Sequence, residues 1–440
     1  MSTVLCVPMR FRAVEVASAT GGKLHGPDVD IDGVSFDSRS LQPGQLFVPI
    51  VADRDGHEFI PDALARGAAA YLTSRYQAGS GGTAIEVGDT VRALMALAAA
   101  RRADFAGTVI GITGSVGKTS TKDLAWAALA ASKATWANER SFNNEQGLPT
   151  AILNTPSGTE LLVLEMGMRA LGEITDLCRI ARPKIGVVTI VAEAHSDRVG
   201  GIDGVARAKS ELIAALPADG VAILNADDWR TKAMSSVSAA PVLLFGESKG
   251  CDVRIRALSV DNLARASFQI DSPWGHCEVH LGVSGRHMAH NAAAALACVG
   301  AVGGDLVAGA SALTTAGLSS MRMEVVYTQS GALILNDAYN ANPTSMRAAL
   351  ETLAQLPATR RVAVLGLMAE ITDAAAEHVA VLQHAEALGI EVIAFGTDLY
   401  GIAPVDDPIV ALGSLARGVA VLVKASRVVG LERLVAGLVG

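Results

Sequence analysis

Aromatic side chains are scarce in this sequence, 4% of 440 residues, and charged ones are few, at 18%. So low a charge content excludes the disordered, self-repelling class of chain. With half the residues hydrophobic, there is enough apolar surface for a large core. No basic run occurs and the net charge is −8, which argues against broad nucleic-acid binding. The five cysteines (Cys6, Cys178, Cys251, Cys277 and Cys298) are scattered, odd in number and without Cys-x-x-Cys spacing. They read as buried thiols in a reducing compartment, with neither a disulfide frame nor a zinc site. No apolar run is long enough to cross a bilayer, because the Ala-rich stretch from Ala292 is broken by Gly300, Gly303 and Asp305. Pro8, Arg10 and Arg12 interrupt the apolar N-terminus, so it does not read as a signal peptide. The expectation is a soluble cytoplasmic protein of about three domains, without membrane insertion.

What is present is organised around Gly111-Ile-Thr-Gly-Ser-Val-Gly-Lys-Thr-Ser-Thr121. This stretch follows apolar Thr108-Val109-Ile110 and leads into a helical pattern through Leu124, Trp126 and Leu129. Strand, glycine loop and helix together make a polyphosphate cradle. Gly114 and Gly117 let the backbone turn tightly and point N–H groups inward, with Ser115 and Ser120 in the same loop. Lys118 adds a mobile positive charge, Thr119 a hydroxyl for a metal ion, and the helix N-terminus favours anions. The match to the standard P-loop is incomplete, since Ile112 stands where a glycine is usual.

Three units follow from the pattern. In residues 1–87, Ile31–Phe36 alternates like a strand, Leu46–Ile50 reads as a second, and a helix spans about Ile60–Arg66. Residues 88–318 begin with a connecting helix near Thr90–Arg102. They then alternate buried parallel strands (Leu161–Leu164, Ile185–Ile190, Val221–Leu224) with helices such as Gly204–Leu216. Residues 319–440 repeat the theme, with strands at Leu333–Leu335, Val362–Leu365, Val392–Phe395 and Val419–Val423. The fold class is α/β, with a doubly wound central P-loop domain and a Rossmann-like C-terminal domain. Ligands in such domains sit at C-terminal strand ends, where polar residues here gather.

Glu165 and His195 each follow a strand, in positions to hold Mg²⁺ and orient phosphate oxygens. Spacing alone leaves a helix-capping Glu and a surface His equally open. Lys209 lies on a helix among apolar neighbours, where a lysine loses its proton more readily. A neutral amine can then add CO₂ to become a carbamate, although an exposed helix lysine fits the same pattern. His287 and Asn291 are four apart on one helix, and Asn can read an adenine edge. Arg322 precedes a strand and has the geometry to bridge phosphates. Asp337-Ala-Tyr-Asn-Ala-Asn-Pro343 and Lys424-Ala-Ser-Arg427 are dense polar turns.

Four segments are more specific: Ser141-Phe-Asn-Asn-Glu-Gln-Gly-Leu-Pro149; Glu165-Met-Gly-Met-Arg169 with Gly172-Glu-Ile174; Tyr339-Asn-Ala-Asn-Pro343; and Lys424-Ala-Ser-Arg427. In this order and spacing the chain resembles the Mur ligase family, the ATP-dependent amide ligases of bacterial cell-wall precursor synthesis. Within that family it is most similar to the branch that adds D-alanyl-D-alanine to a UDP-N-acetylmuramoyl-tripeptide. The family's loop, Gly-Thr/Ser-Asn-Gly-Lys-Thr/Ser, accounts for the off-pattern glycine. The resemblance implies three domains: one for the UDP-sugar, with Ser38, Arg39 and His57 in its matching motifs, one for ATP, and one for the incoming amine. Asn143 and Asn144 would lie on the substrate side. Gly114, Ser115, Gly117, Lys118, Thr119 and Ser120 would hold the phosphates. Thr119, Glu165 and His195 would bind Mg²⁺, and Lys209, as a carbamate, would support a second Mg²⁺. Asn291, Asn340 and Asp337 would contact adenosine, and Arg322 the phosphates. A monomer acting on small-molecule substrates is expected.

Several positions depart from the family pattern. The loop Asn is Val116, a usual Thr-Asn reads Thr189-Ile190, and the first Asp of an Asp-Asp pair is Asn336. The usual Leu-Gly-Asp-Met-x-Glu-Leu-Gly reads Leu365-Gly-Leu-Met-Ala-Glu-Ile-Thr372, which removes a carboxylate at Leu367. A ligase joining another amine, or a nucleotide-binding paralogue without turnover, therefore stays open. A diaminopimelate- or lysine-adding ligase is disfavoured because Asp-Asn-Pro-Arg is absent.

Overall fold

The computed structural model describes residues 10–138, 141–193 and 199–439. His195 therefore lies outside the described residues. The chain divides into two compact units. The first comprises Met1–Gly111, Lys133–Gly167 and Glu173–Lys184, and the second comprises Ile112–Ser132, Met168–Gly172 and Ile185–Gly440.

The N-terminal strands are β1 (Arg10–Arg12), β2 (Lys23–His25), β3 (Asp30–Asp32), β4 (Val34–Ser35), β5 (Leu46–Phe47), β6 (Ala70–Thr73) and β7 (Thr83–Glu86). β1 pairs antiparallel with β3, and the others form a sheet in the order β2-β7-β6-β5-β4. The single strand expected over Ile31–Phe36 is thus two strands in two sheets. It breaks at Gly33, where φ is +81° and an added Cβ would lie 2.4 Å from Asn154 Oδ1. Asn154 occupies that space because its side chain serves the backbone of Val34, accepting from its N–H at 2.8 Å and donating to its carbonyl at 3.0 Å. The expected strand Leu46–Ile50 stops at Phe47, just ahead of Pro49, which has no N–H for a ladder.

A larger sheet follows from β8 (Thr108–Thr113), β9 (Thr135–Ala137), β10 (Leu161–Glu165), β11 (Ile185–Val188), β12 (Val221–Asn225), β13 (Val242–Gly246), β14 (Val253–Val260), β15 (Arg265–Ser272) and β16 (Gly275–Ser284), in the order β16-β15-β14-β13-β12-β11-β8-β10-β9. β10 and β11 are buried along their whole length, as parallel strands covered on both faces must be. The strand–helix alternation expected over the whole second region ends at β13. From there β14, β15 and β16 run antiparallel, with alternating exposed and buried residues that a search for apolar runs passes over. The helix Met288–Ala301 is almost wholly buried and packs on Lys118–Ala130. Its run of alanines permits the close approach, and at Gly300 a Cβ would meet the Trp274 ring at 2.1 Å.

The C-terminal strands are β17 (Glu324–Tyr327), β18 (Leu333–Asn336), β19 (Arg360–Leu365), β20 (Glu391–Ala394) and β21 (Val419–Lys424), ordered β17-β18-β21-β19-β20. All pairings are parallel except the β17 edge. Val362, Val364, Val421 and Val423 fill the core under the helix Glu432–Val439. No helix among the described residues is long and apolar enough to cross a membrane.

Candidate active site

The second unit holds the phosphate loop. β8 ends at Thr113, and the helix Lys118–Ala130 begins after Gly117, whose φ is +82°. The loop is stitched to the segment after β11 by two hydroxyls. Ser115 Oγ donates to the Ala192 carbonyl at 2.7 Å and accepts from the Ala192 N–H at 2.9 Å. Thr189 Oγ1 donates to the Val116 carbonyl at 2.6 Å. Lys118 Nζ folds back to the Gly114 carbonyl at 2.7 Å. Thr119 and Ser120 are buried at the start of the helix. Asn291 is buried with its Oδ1 against Gly117, where an added Cβ would lie 2.6 Å away. Gly117→Ala therefore meets both a positive φ and a fixed neighbour. The expected result is a loss of about 1–3 kcal/mol in nucleotide affinity, read by titration calorimetry with ADP.

Lys209 sits on the helix Gly201–Ala214 and is buried. Burial pushes its ammonium well below the ordinary lysine value, and the charge of Lys118 pushes it the same way. Charge repulsion and low dielectric together favour the neutral amine. After β12, Asp228 accepts from the Val191 N–H at 2.7 Å, and Asn225 Nδ2 donates to the Thr189 carbonyl at 2.8 Å. Sequence reasoning missed Thr189, Asn225 and Asp228 as supports of the loop. The available signal was the cluster of polar residues at and just beyond the ends of these apolar strands. Asp227 accepts from the His290 ring at 3.0 Å and from the Glu247 and Ser248 N–H groups at 2.7 and 3.0 Å. Its hydrogen bonds, despite burial, hold its carboxyl far below the usual range.

Further along this unit, Asp337 follows β18 and pairs with buried Lys424, which also donates to the Asn340 carbonyl at 2.8 Å. The other Asp337 oxygen accepts from the Met323 N–H at 3.1 Å. Asn340 is exposed, with its Oδ1 turned to the Ala341 N–H. Arg322 lies over the Tyr339 ring at 4.2 Å, with a buried Nε that has no hydrogen-bond partner. Burial pushes His287 down to about 4, opposed by Asp337, so its imidazole is neutral at physiological pH.

The first unit holds Glu165 at the end of β10, buried, with Oε1 accepting from Asn143 Nδ2 at 2.6 Å. Its backbone N–H donates to Asn138 Oδ1 at 2.9 Å. Asn143 thus orients a carboxylate. Asn144 caps the helix Gly147–Leu153, accepting from the Gly147 N–H at 2.9 Å. In the N-terminal sheet region Ser38 is buried in a turn, and exposed Arg39 forks onto Asp37. His57 Nδ1 meets Asp55 at 2.7 Å and its Nε2 accepts from the Ser74 N–H at 3.1 Å, so both ring nitrogens are engaged within the fold. Among the described residues no three His, Cys, Asp or Glu side chains converge on a metal-sized point.

Comparison with known proteins settles the family. Residues 112–299 match the Mur ligase middle domain, and residues 321–427 match the Mur ligase glutamate ligase domain. The chain belongs to the Mur ligase family. It is similar to the UDP-N-acetylmuramoyl-tripeptide–D-alanyl-D-alanine ligase of Mycobacterium tuberculosis, at 40% identity over 78% of this chain and 73% of that one. The Bacillus subtilis ligase of the same name is 36% identical over 81% and 79%. Among solved structures, MurF from Acinetobacter baumannii superposes with a TM-score of 0.84 at 29% identity, covering 98% and 99% of the two chains. Thermotoga maritima MurF in complex with ADP gives 0.79 at 28%, covering 92% and 96%. The architecture is the three-domain, mixed α/β architecture of Mur ligases.

Proposed function

We infer that this Mur ligase is an ATP-dependent amide ligase that adds D-alanyl-D-alanine to UDP-N-acetylmuramoyl-tripeptide in peptidoglycan-precursor synthesis. The observation that carries the mechanism is Lys209: buried, held toward its neutral form, and within the field of Lys118. Lys118 and the loop N–H groups would take the triphosphate. The tripeptide carboxylate oxygen attacks the γ-phosphorus and ADP leaves, giving an acyl phosphate. The dipeptide amine then attacks the acyl carbon, phosphate leaves, and the amine gives up a proton to form the amide. The protein contributes positioning and charge neutralisation rather than covalent chemistry.

Mg²⁺ is a hard cation that takes oxygen ligands, and each unit offers groups of that chemistry. The first has a buried carboxylate at Glu165; the second has a hydroxyl at Thr119 and, on addition of CO₂, carbamate oxygens on Lys209. We assign two ions to these residues with His195. When bound, they supply neutralisation of phosphate charge. Asn143 fixes the Glu165 carboxylate in one orientation. Adenosine contacts are assigned to Asn291, Asn340 and Asp337, phosphate contact to Arg322, and UDP-sugar contacts to the region of Ser38, Arg39 and His57. The three domains are assigned to 1–87, 88–318 and 319–440. We further assign the protein to the cytoplasm, as a monomer.

Leu367, in place of an Asp after β19, favours a second reading in which another amine is joined. The test is phosphate release with ATP, UDP-muramoyl-tripeptide and a panel of amines. Release that requires D-alanyl-D-alanine supports the first reading, release with a different amine the second. Nucleotide binding with no amine-dependent release defeats both.

A further inference from the structure

The turn that follows β19, Gly366–Asp373, is built in an unusual way. Two of its residues, Glu370 and Asp373, are non-glycines at positive φ, +62° and +53°. Such residues persist only where their surroundings over-determine them. Beside the turn, Asp373 and Glu377 lie close enough to Glu193 to act on its carboxyl electrostatically. Glu193 follows Ala192, which Ser115 ties to the phosphate loop.

What holds the turn is a completely buried His378, on the helix Ala374–Ala387. Its Nε2 accepts from the Met368 N–H at 2.9 Å, and its Nδ1 faces the Ala374 carbonyl at 2.6 Å. One nitrogen must be an acceptor and the other a donor, so the ring fits in its neutral, Nδ1-protonated form. Buried Tyr400 stands edge-on to the ring, with centroids 4.8 Å apart, and its hydroxyl donates to the Gly366 carbonyl at 2.9 Å. The far side is tied by Ser426, whose N–H donates to the Leu367 carbonyl and whose Oγ accepts from the Ala369 N–H, each at 2.9 Å.

We propose that His378, braced by Tyr400, is a positioning residue that fixes the Gly366–Asp373 turn in the shape the acceptor amine meets, and that this shape requires a neutral imidazole. A proton on Nε2 removes the acceptor for Met368 and sets an N–H against an N–H. The proposal rests on the ligase reading above for the role of the turn, though not for the latch itself.

The pH sign follows from the surroundings. Burial lowers the folded His378 pKa, opposed by its bond to Ala374 and by Glu377, one residue earlier on its own helix. Glu377 is in turn paired at 3.1 Å with Arg347 of the helix Pro343–Gln355. Tyr400, from the segment after β20, has its hydroxyl pushed up by burial and stays uncharged. The latch is therefore intact above the ordinary histidine value of about 6.5 and lost as pH falls through the lower folded value.

Two measurements test this. In the wild-type protein without substrate, protection of the Met368 amide against hydrogen exchange is expected to fall about tenfold or more between about pH 7 and about pH 5. Protection that stays flat over that range overturns the latch, whatever the ligase activity. In kinetics, His378→Ala is expected to raise the acceptor KM several-fold with the ATP KM unchanged. His378→Gln, which keeps an uncharged acceptor, is expected to recover much of this and to lose the acid limb of the acceptor KM. Equal shifts in both KM values, or an acid limb that survives in His378→Gln, overturn the positioning role. Wild-type protein with no dipeptide-dependent turnover, but with pH-dependent Met368 protection, sinks the ligase reading and leaves the latch standing.

Discussion

Lys209→Ala is expected to abolish turnover, with kcat falling on the order of 10³-fold or more, the scale seen when preorganised charge at a transferring phosphoryl group is lost. The side chain is buried, its ammonium disfavoured by burial and by Lys118, so the wild-type amine is available to react with CO₂. The carbamate it forms is carboxylate-like, so formate or acetate should restore part of the rate in the alanine variant. Lys209→Arg should not be rescued, because a guanidinium keeps its proton and cannot become a carbamate. Phosphate-release kinetics with and without added carboxylate check both. Full activity in Lys209→Ala would remove the carbamate from the mechanism.

The second large effect falls on stability. Asp337→Ala leaves Lys424, only 2% exposed, without its carboxylate. Stranding one member of a buried pair destabilises by about 3–5 kcal/mol. The Met323 N–H loses its acceptor as well, loosening the stretch where Met321 and Met323 both hold positive φ. A urea titration should show the midpoint falling in Asp337→Ala and recovering most of the loss when Lys424→Met is added, since the stranded charge is then gone. A loss below about 1 kcal/mol in the single variant, the scale of an exposed pair, would mean that the pair is not buried in solution.

Much of the fold was legible because buried parallel strands announce themselves as apolar runs. Leu161–Leu164, Ile185–Ile190, Val221–Leu224 and Val419–Val423 each sit on an observed strand, with ends shifted by a residue or two. The misses have physical causes. Gly33 breaks an alternating run to make room for Asn154, which holds the backbone of Val34 from 120 residues away. The β14–β16 antiparallel extension is half-exposed and carries few apolar neighbours in sequence. Strand and helix context singled out the Lys-Thr of the loop, Glu165 and Lys209 as candidates. The apolar neighbours of Lys209 already pointed to a lowered ammonium, but the second push, from Lys118, was not legible, because that residue lies 91 positions earlier in the chain. Likewise, His57 and Asn144 carry motif-like polar groups whose observed bonds are internal, to Asp55 and Ser74 and to Gly147.

The two hydroxyls that fasten the loop at Ser115 and Thr189 bear on how fast and how tightly a triphosphate is caught. A cradle moulded when the polypeptide folds has little disorder left to surrender when its guest arrives, so more of the contact energy appears as grip.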